Sequence, residues 1–190
     1  MGPAASLFGQ DYPPGLLYRE DFLTPAEETA LLDSIAGITF GAFEMRGVVA
    51  RRRVAYFGQS YDRTEARPFP DFLLSLRRKI GTWTGIEAPA FAMCLINEYP
   101  PGAPIGWHRD APQHDVVSGV SLLSACRMKF RPYLSPALGG GKNVRRPATH
   151  EIALERRSAY FMKGESRNAY EHHIPPVTDS RYSVTFRTLR

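Results

Sequence analysis

Cysteine is scarce in this sequence, and long apolar runs are missing from it. The two cysteines, Cys94 and Cys126, lie inside apolar stretches and show no metal-ligand spacing. That weighs against a secreted, disulfide-stapled class and points to reduced, buried thiols and a cytoplasmic setting. No run of about 18 apolar residues occurs, the length a membrane-spanning helix needs, so no membrane association is expected. The opening Met1-Gly2-Pro3-Ala4-Ala5-Ser6 lacks the basic and apolar regions of a secretory signal peptide. It does fit the loose myristoylation pattern of Gly2 with Ser6, although Pro3 is an awkward neighbour. Charge is only mildly one-sided: the formal net charge is +5 and the pI about 9.4. That surplus is compatible with a polyanionic partner and does not by itself identify one. A phosphate-binding loop is absent as well. Gly139-Gly140-Gly141-Lys142 has no G-x-x-x-x-G frame, and Asn143 stands where Ser or Thr is required, so the run reads as a hairpin loop.

What remains is the pattern of one globular domain. The chain has 190 residues, of which 43% are hydrophobic and 23% charged, enough for a full core and short for two domains. No repeat or linker divides residues 1–190, and a monomer is expected. The stretch through Pro14 reads as an irregular arm. Thr24-Pro25-Ala26-Glu27 predicts a helix start, with Thr as cap, Pro at the first helical position and Glu closing a capping box. That helix runs to about Ile35 and shows Leu31, Leu32 and Ile35 on one face. A second is predicted from Pro70 to about Ile80 on a stripe of Phe72, Leu73, Leu76 and Ile80. Beyond Phe91 short β-rich runs take over: Phe91–Tyr99, Ile105–Arg109, Val116–Leu123, Arg127–Tyr133, His150–Leu154, Ala159–Met162, Tyr170–Ile174 and Tyr182–Arg187. A mainly β fold with N-terminal helices follows, a sandwich or jelly roll packed against helices.

Two segments carry chemistry. In Asn97-Glu98-Tyr99-Pro100-Pro101-Gly102-Ala103-Pro104-Ile105-Gly106-Trp107-His108-Arg109-Asp110, an extended chain turns His108 and Asp110 to one face and Trp107 and Arg109 to the other. An imidazole and a carboxylate on one face make two-thirds of a facial triad, which leaves open positions on iron(II). The H-R-D of a kinase catalytic loop is a rival, but Asp115 stands where that motif needs Asn, and its companion motifs are absent. About sixty residues on comes Glu171-His172-His173-Ile174-Pro175-Pro176, followed by Arg181-Tyr182-Ser183-Val184-Thr185-Phe186-Arg187. Alternation says only that His172 and His173 cannot both face one site. On the last strand Arg181, Ser183, Thr185 and Arg187 share a face, a socket suited to a dicarboxylate because Arg binds carboxylates through paired hydrogen bonds.

N-x-Y-x-P-G followed by H-x-D, then H-x-I-P-P, then R-Y-S-V-T-F-R, resembles the AlkB family of Fe(II)/2-oxoglutarate-dependent dioxygenases. The resemblance covers about Met93 to Arg187. It implies a double-stranded β-helix, with His108, Asp110 and His172 as metal ligands and catalytic centre, and His172 chosen over His173. Asn97, Tyr99, Arg181 and Arg187 would bind 2-oxoglutarate, Arg181 at its distal carboxylate and Arg187 near the chelating one. The cofactor set would be Fe(II), 2-oxoglutarate and O₂. His114 and His150 match no motif position and read as surface or loop residues.

The same resemblance divides the chain at about residue 90, into a helical and nucleotide-recognition lid region and a jelly-roll catalytic core over about 91–190. The lid would span Phe40 to Asp62, including Arg46, with Arg51, Arg52, Arg53, Tyr56, Phe57 and Tyr61 offering phosphate contacts and stacking surfaces. The implied reaction is oxidative demethylation of N-alkylated bases in DNA or RNA, single-stranded or flipped out, releasing formaldehyde, succinate and CO₂. Hydroxylation or demethylation of a protein side chain or small molecule is the alternative. Repair members of the family carry an acidic residue one or two positions after the metal Asp. Here Ala111 and Pro112 stand there, which leaves the base, and the choice between DNA and RNA, open.

Overall fold

A computed structural model describes residues 12–45, 47–59, 67–134 and 148–190. The glycine run at 139–142, the myristoylation pattern and most of the expected N-terminal arm lie outside them. Two helices form where caps and apolar stripes predict them. The first, α1 (Pro25–Ala36), opens on a complete capping box: Thr24 Oγ1 accepts from the Glu27 amide, and the Glu27 carboxylate accepts from the Thr24 amide at 2.7 Å. The second, α2 (Asp71–Thr84), ends on Gly85 in the left-handed conformation, the usual glycine stop.

Before residue 91 there are also strands: β1 (Leu16–Arg19), β2 (Gly41–Met45) and β3 (Val48–Gly58). The lid region is therefore a strand hairpin of β2 and β3, and β3 pairs directly with the core strand β4 (Phe91–Tyr99). The remaining strands are β5 (Ile105–His108), β6 (His114–Leu122), β7 (Cys126–Pro132), β8 (His150–Leu154), β9 (Ala159–Met162), β10 (Tyr170–Ile174) and β11 (Arg181–Leu189), with a single-turn helix α3 (Glu165–Asn168) before β10. β6 begins two residues earlier than predicted, which takes His114 inside. It is 2% exposed and is not the surface residue expected from the sequence.

Among the described residues all pairings are antiparallel, in a seven-stranded sheet ordered β1-β9-β6-β11-β4-β3-β2 and a four-stranded sheet ordered β5-β10-β7-β8. Strand alternation assigns each side chain to a layer. Leu31 and Ile35 of α1 and Leu73, Leu76 and Ile80 of α2 pack on Ala55, Phe57, Cys94, Ile96, Val184 and Phe186, the outer face of the large sheet. A second apolar cluster, including Val117, Met128, Phe130, Ile152, Tyr160 and Ile174, draws on both sheets and fills the jelly roll. On β11 the odd-numbered residues 181–187 turn inward, so polar groups enter the roll where the sequence alternation puts them.

Candidate active site

The strands β5 and β10 are neighbours in the small sheet, and their register sets His172 opposite His108. The two ring centroids are 4.2 Å apart. Asp110 follows β5 by two residues, and its Oδ2 lies 3.6 Å from His172 Nε2. His173 turns to the other face, where its ring stacks 5.1 Å from Trp107 and its Nδ1 lies 2.6 Å from the Ile105 carbonyl oxygen. The Arg131 guanidinium covers Trp107 at 4.1 Å. The geometry thus brings His172, not His173, to His108 and Asp110. No trio of His, Cys, Asp or Glu side chains among the described residues is already arranged as a finished metal site.

Electrostatics set the protonation states a divalent ion requires. Burial, with His108 alongside, pushes the His172 imidazole down to about 3. Burial also lowers His108, against the pull of Asp110. Burial opposes ionisation of Asp110 too, but Arg187 and the two histidines outweigh it and hold the carboxyl well below the usual range. Arg187 Nε donates to Asp110 Oδ1 at 2.9 Å and its Nη2 lies at the same distance from that oxygen, which leaves Oδ2 on the side of His172. The set is two neutral nitrogens and a carboxylate, the donor chemistry that suits iron(II).

Arg181 is 1% exposed. Its Nη2 donates to Ser121 Oγ at 3.0 Å, while Nε and Nη1 have no hydrogen-bond partner among the described residues. A buried guanidinium with idle donors is costly, so the position suits an anionic acceptor, and a carboxylate matches its planar fork. Tyr99 lies beneath it, ring centroid 4.7 Å from Cζ. Asn97 donates to Ser183 Oγ at 3.3 Å and accepts from Arg52 Nε at 3.2 Å. Arg187, expected near a chelating carboxylate, donates to Asp110 Oδ1 and to Thr185 Oγ1. The hydrogen bond to Asp110 fixes the orientation of its carboxylate.

A cleft of about 930 Å³ opens over His108 and Asp110. One wall is the β2–β3 hairpin, with Phe43, Val48 and Arg52; the facing wall holds Arg109, Tyr133, Arg167 and Arg190. Ala111 and Pro112 line it too, so the acidic residue of the repair members is replaced by apolar surface. A smaller hollow of about 240 Å³ between α1 and α2, lined by Leu31, Phe72 and Leu76, holds none of the candidate site residues.

The lid candidates need correction. Arg46 and Tyr61 lie outside the described residues. Phe57 is 8% exposed and belongs to the helix-packed core, because alternation on β3 turns it away from the cleft. Arg53, on the same side, is ion-paired with Glu98, its cross-strand partner. Arg51 is exposed and reaches the Gly102 carbonyl at 3.4 Å. Tyr56 is half-buried and is not part of the cleft wall. Among the described lid candidates, Arg52 alone lines the cleft, held with Cζ 4.0 Å from the Phe43 ring. Tyr133, Arg167 and Arg190 were not singled out from the sequence, and strand alternation put Arg109 on the face away from His108 and Asp110, whereas beyond the end of β5 it lines the same cleft. No motif marks them, and they meet only because α3, β5 and the two chain segments after β7 and β11 converge at one rim.

Comparison with known proteins completes the picture. The profile of the 2OG-Fe(II) oxygenase superfamily matches residues 38–187. An Arabidopsis thaliana protein described as an alkylated DNA repair protein ALKBH8 homolog is 26% identical over 182 residues, covering 85% of this chain and 51% of its own. The mouse tRNA (carboxymethyluridine(34)-5-O)-methyltransferase ALKBH8 is 29% identical over 176 residues, covering 86% of this chain and 24% of its own. The chain thus spans about half of the length of the first relative and about a quarter of the second. The solved structure of OsALKBH1 superposes with a TM-score of 0.66 at 14% identity, over 92% of this chain and 98% of that one. A Trichoplax adhaerens prolyl hydroxylase in complex with a peptide of hypoxia inducible factor gives 0.65 at 15% identity, over 92% and 83%. Both likenesses concern the fold.

Proposed function

Because this chain belongs to the 2OG-Fe(II) oxygenase superfamily, we propose that it removes N-alkyl groups from bases of nucleic acid, with His108, Asp110 and His172 as its iron ligands. The enzyme class carries the cofactor requirement for Fe(II), 2-oxoglutarate and O₂. When bound, iron(II) with O₂ supplies the oxidising power that splits 2-oxoglutarate to succinate and CO₂ and places one oxygen atom in a substrate C–H bond. A hydroxylated N-methyl group then leaves as formaldehyde, with the proton returned to the base nitrogen.

The residues of this chain do the positioning. Arg181 holds the distal carboxylate of 2-oxoglutarate through its idle donors, with Ser121 fixing its orientation. Arg187 keeps Asp110 ionised and turned toward His172. Trp107, in contact with both Arg131 and His173, stiffens the stretch of β5 that delivers His108. Ala111 and Pro112 give the cleft an apolar lip beside the reacting centre.

The substrate reading rests chiefly on the cleft, which opens directly over His108 and Asp110 and is walled by Arg52, Arg109, Arg167 and Arg190. Such a hollow admits a flipped or single-stranded base while its phosphates meet positive charge. The names of the sequence relatives refer to DNA repair and to tRNA, in line with that reading. A succinate-release assay over methylated DNA, RNA and protein panels tests it. Turnover stimulated by methylated oligonucleotide, with formaldehyde released in step, is the expected result. Stimulation by a peptide panel alone overturns it in favour of a side-chain hydroxylase.

A further inference from the structure

The charge that faces a nucleic-acid backbone is not where the sequence suggests. Arg53 is neutralised by Glu98 and Arg52 is enclosed between Phe43 and Asn97. The opposite wall of the cleft is built differently. Arg109 leaves β5 directly after His108 and lies with Cζ 3.6 Å from the centroid of the Tyr133 ring. Arg190 donates through Nη2 to Asn168 Oδ1 at 2.7 Å. The Asn168 carbonyl accepts from Arg109 Nη1 at 3.5 Å, so the last residue of α3 gathers both guanidiniums on one wall.

A charge balance of the cleft lining favours an anion there. Among the described residues its acidic side chains are Asp110 and Glu171, and each is paired with an arginine that does not line the cleft, Arg187 and Arg131 respectively. Asp115 stands 3.9 Å from Arg190 with its side chain 59% exposed, a contact that solvent largely screens. Arg167 is committed to the carbonyls of Ala111 and His114, at 2.6 and 2.9 Å, and clamps the loop after Asp110. Arg167 keeps its charge but is buried, so Arg109 and Arg190 are the exposed cations of this wall, anchored on neutral groups and placed at the rim of the cleft.

We propose that Arg109 and Arg190 form the phosphate subsite of the enzyme and bind a phosphodiester next to the target nucleotide, with Tyr133 supporting Arg109 by stacking. The proposal rests on the nucleic-acid reading above and adds which wall of the cleft holds the backbone. A phosphate contact contributes charge and leaves its mark in salt dependence; a purely structural arginine does not.

The test is titration of short single-stranded DNA and RNA oligonucleotides with the full chain over a series of salt concentrations. The variants are Arg109→Ala, Arg190→Ala and Arg109→Lys, with Arg127→Ala as a control at an exposed arginine on β7 paired with Glu151. Each alanine variant at the wall should weaken binding and flatten the plot of log affinity against log salt by about 0.7, the single-strand value per phosphate contact. Arg109→Lys should restore most of that slope, because a phosphate contact needs the charge, and Arg127→Ala should leave it unchanged. Wild-type affinity and slope in both alanine variants overturn the subsite while leaving the nucleic-acid reading standing. Loss of slope in Arg109→Lys as in Arg109→Ala assigns Arg109 to structure and overturns its place in the subsite. A wild-type protein that binds neither oligonucleotide at low salt overturns both the subsite and the nucleic-acid reading.

Discussion

Asp110 serves two neighbours, and the division of its oxygens decides what the site can do. Arg187 occupies Oδ1, so Oδ2 is the oxygen that faces His172. Replacing Arg187 with Ala should weaken iron binding about 10- to 100-fold, the usual cost of losing a partner that orients a metal ligand, as measured by iron titration under anaerobic conditions. His172→Ala should cost more than that and abolish succinate production, whereas His173→Ala should keep most of it, since His173 packs on Trp107 outside the triad. An active His172→Ala beside a dead His173→Ala refutes the ligand assignment. At Arg181 the charge alone does not suffice. Arg181→Lys loses the planar fork, and the KM for 2-oxoglutarate should rise about 10- to 100-fold, the worth of one hydrogen bond to a charged group. Steady-state kinetics showing an unchanged KM would remove Arg181 from the co-substrate site. At this scale the sequence was informative wherever a residue sits on a regular strand. Alternation put Arg181 and Arg187 on one face of β11, but it could not choose between His172 and His173. That choice needs the register of β10 against β5, a long-range property.

At the scale of elements, legibility followed local signals. The capping box of α1 and the glycine stop of α2 are short-range, and both helices stand where those signals put them. Phe91–Tyr99, His150–Leu154, Ala159–Met162 and Tyr170–Ile174 likewise form strands over the predicted ranges. The strands β1, β2 and β3 were not resolved as strands. β3 holds three successive arginines, and no local rule says that Phe57 belongs to a core while Arg52 faces a cleft; pairing with β4 decides both. The cleft wall of Arg109, Tyr133, Asn168 and Arg190 was invisible for the same reason, being assembled from segments distant in sequence. The end of β3 carries a testable constraint. Gly58 has φ +77°, and a Cβ there would meet the Ala92 carbonyl oxygen at 2.2 Å and the Phe69 ring at 2.5 Å. Gly58→Ala should lose about 1–2 kcal/mol from the left-handed backbone alone, with the overlap adding to it. Its melting temperature should then fall by roughly 2–8 °C or more. An unshifted melting curve would mean that this end of the strand rearranges freely.

For the whole molecule, the placement of polar groups inside a β roll has a consequence in acid. The helices seal the outer face of the large sheet with hydrocarbon, so the titratable groups withdrawn from water lie mainly on the inner side and toward the cleft. Burial, reinforced by the nearby Arg187, pushes His114 down to about 4, and His172 goes lower still, to about 3. Both are neutral in the folded protein at pH values where an unfolded histidine, with its ordinary value near 6.5, is already charged. The unfolded chain therefore binds more protons, and stability falls as pH drops from about 6.5 toward 4 and below, while above 6.5 these two groups add no pH dependence. Asp110, depressed instead by its cationic neighbours, adds a further loss below the ordinary aspartate range. Urea unfolding of the metal-free protein at a series of pH values measures the whole slope. His114→Gln removes one titrating group without touching the triad, so its unfolding free energy should depend less steeply on pH between about 6.5 and 4, with the remaining slope left to His172 and His108. A His114→Gln curve parallel to the wild type across that window would show that His114 is protonated in the folded state as readily as in the unfolded one. The acid sensitivity of the fold would then belong to the candidate metal ligands alone, and bound iron(II), which competes with protons for the same nitrogens, should suppress it.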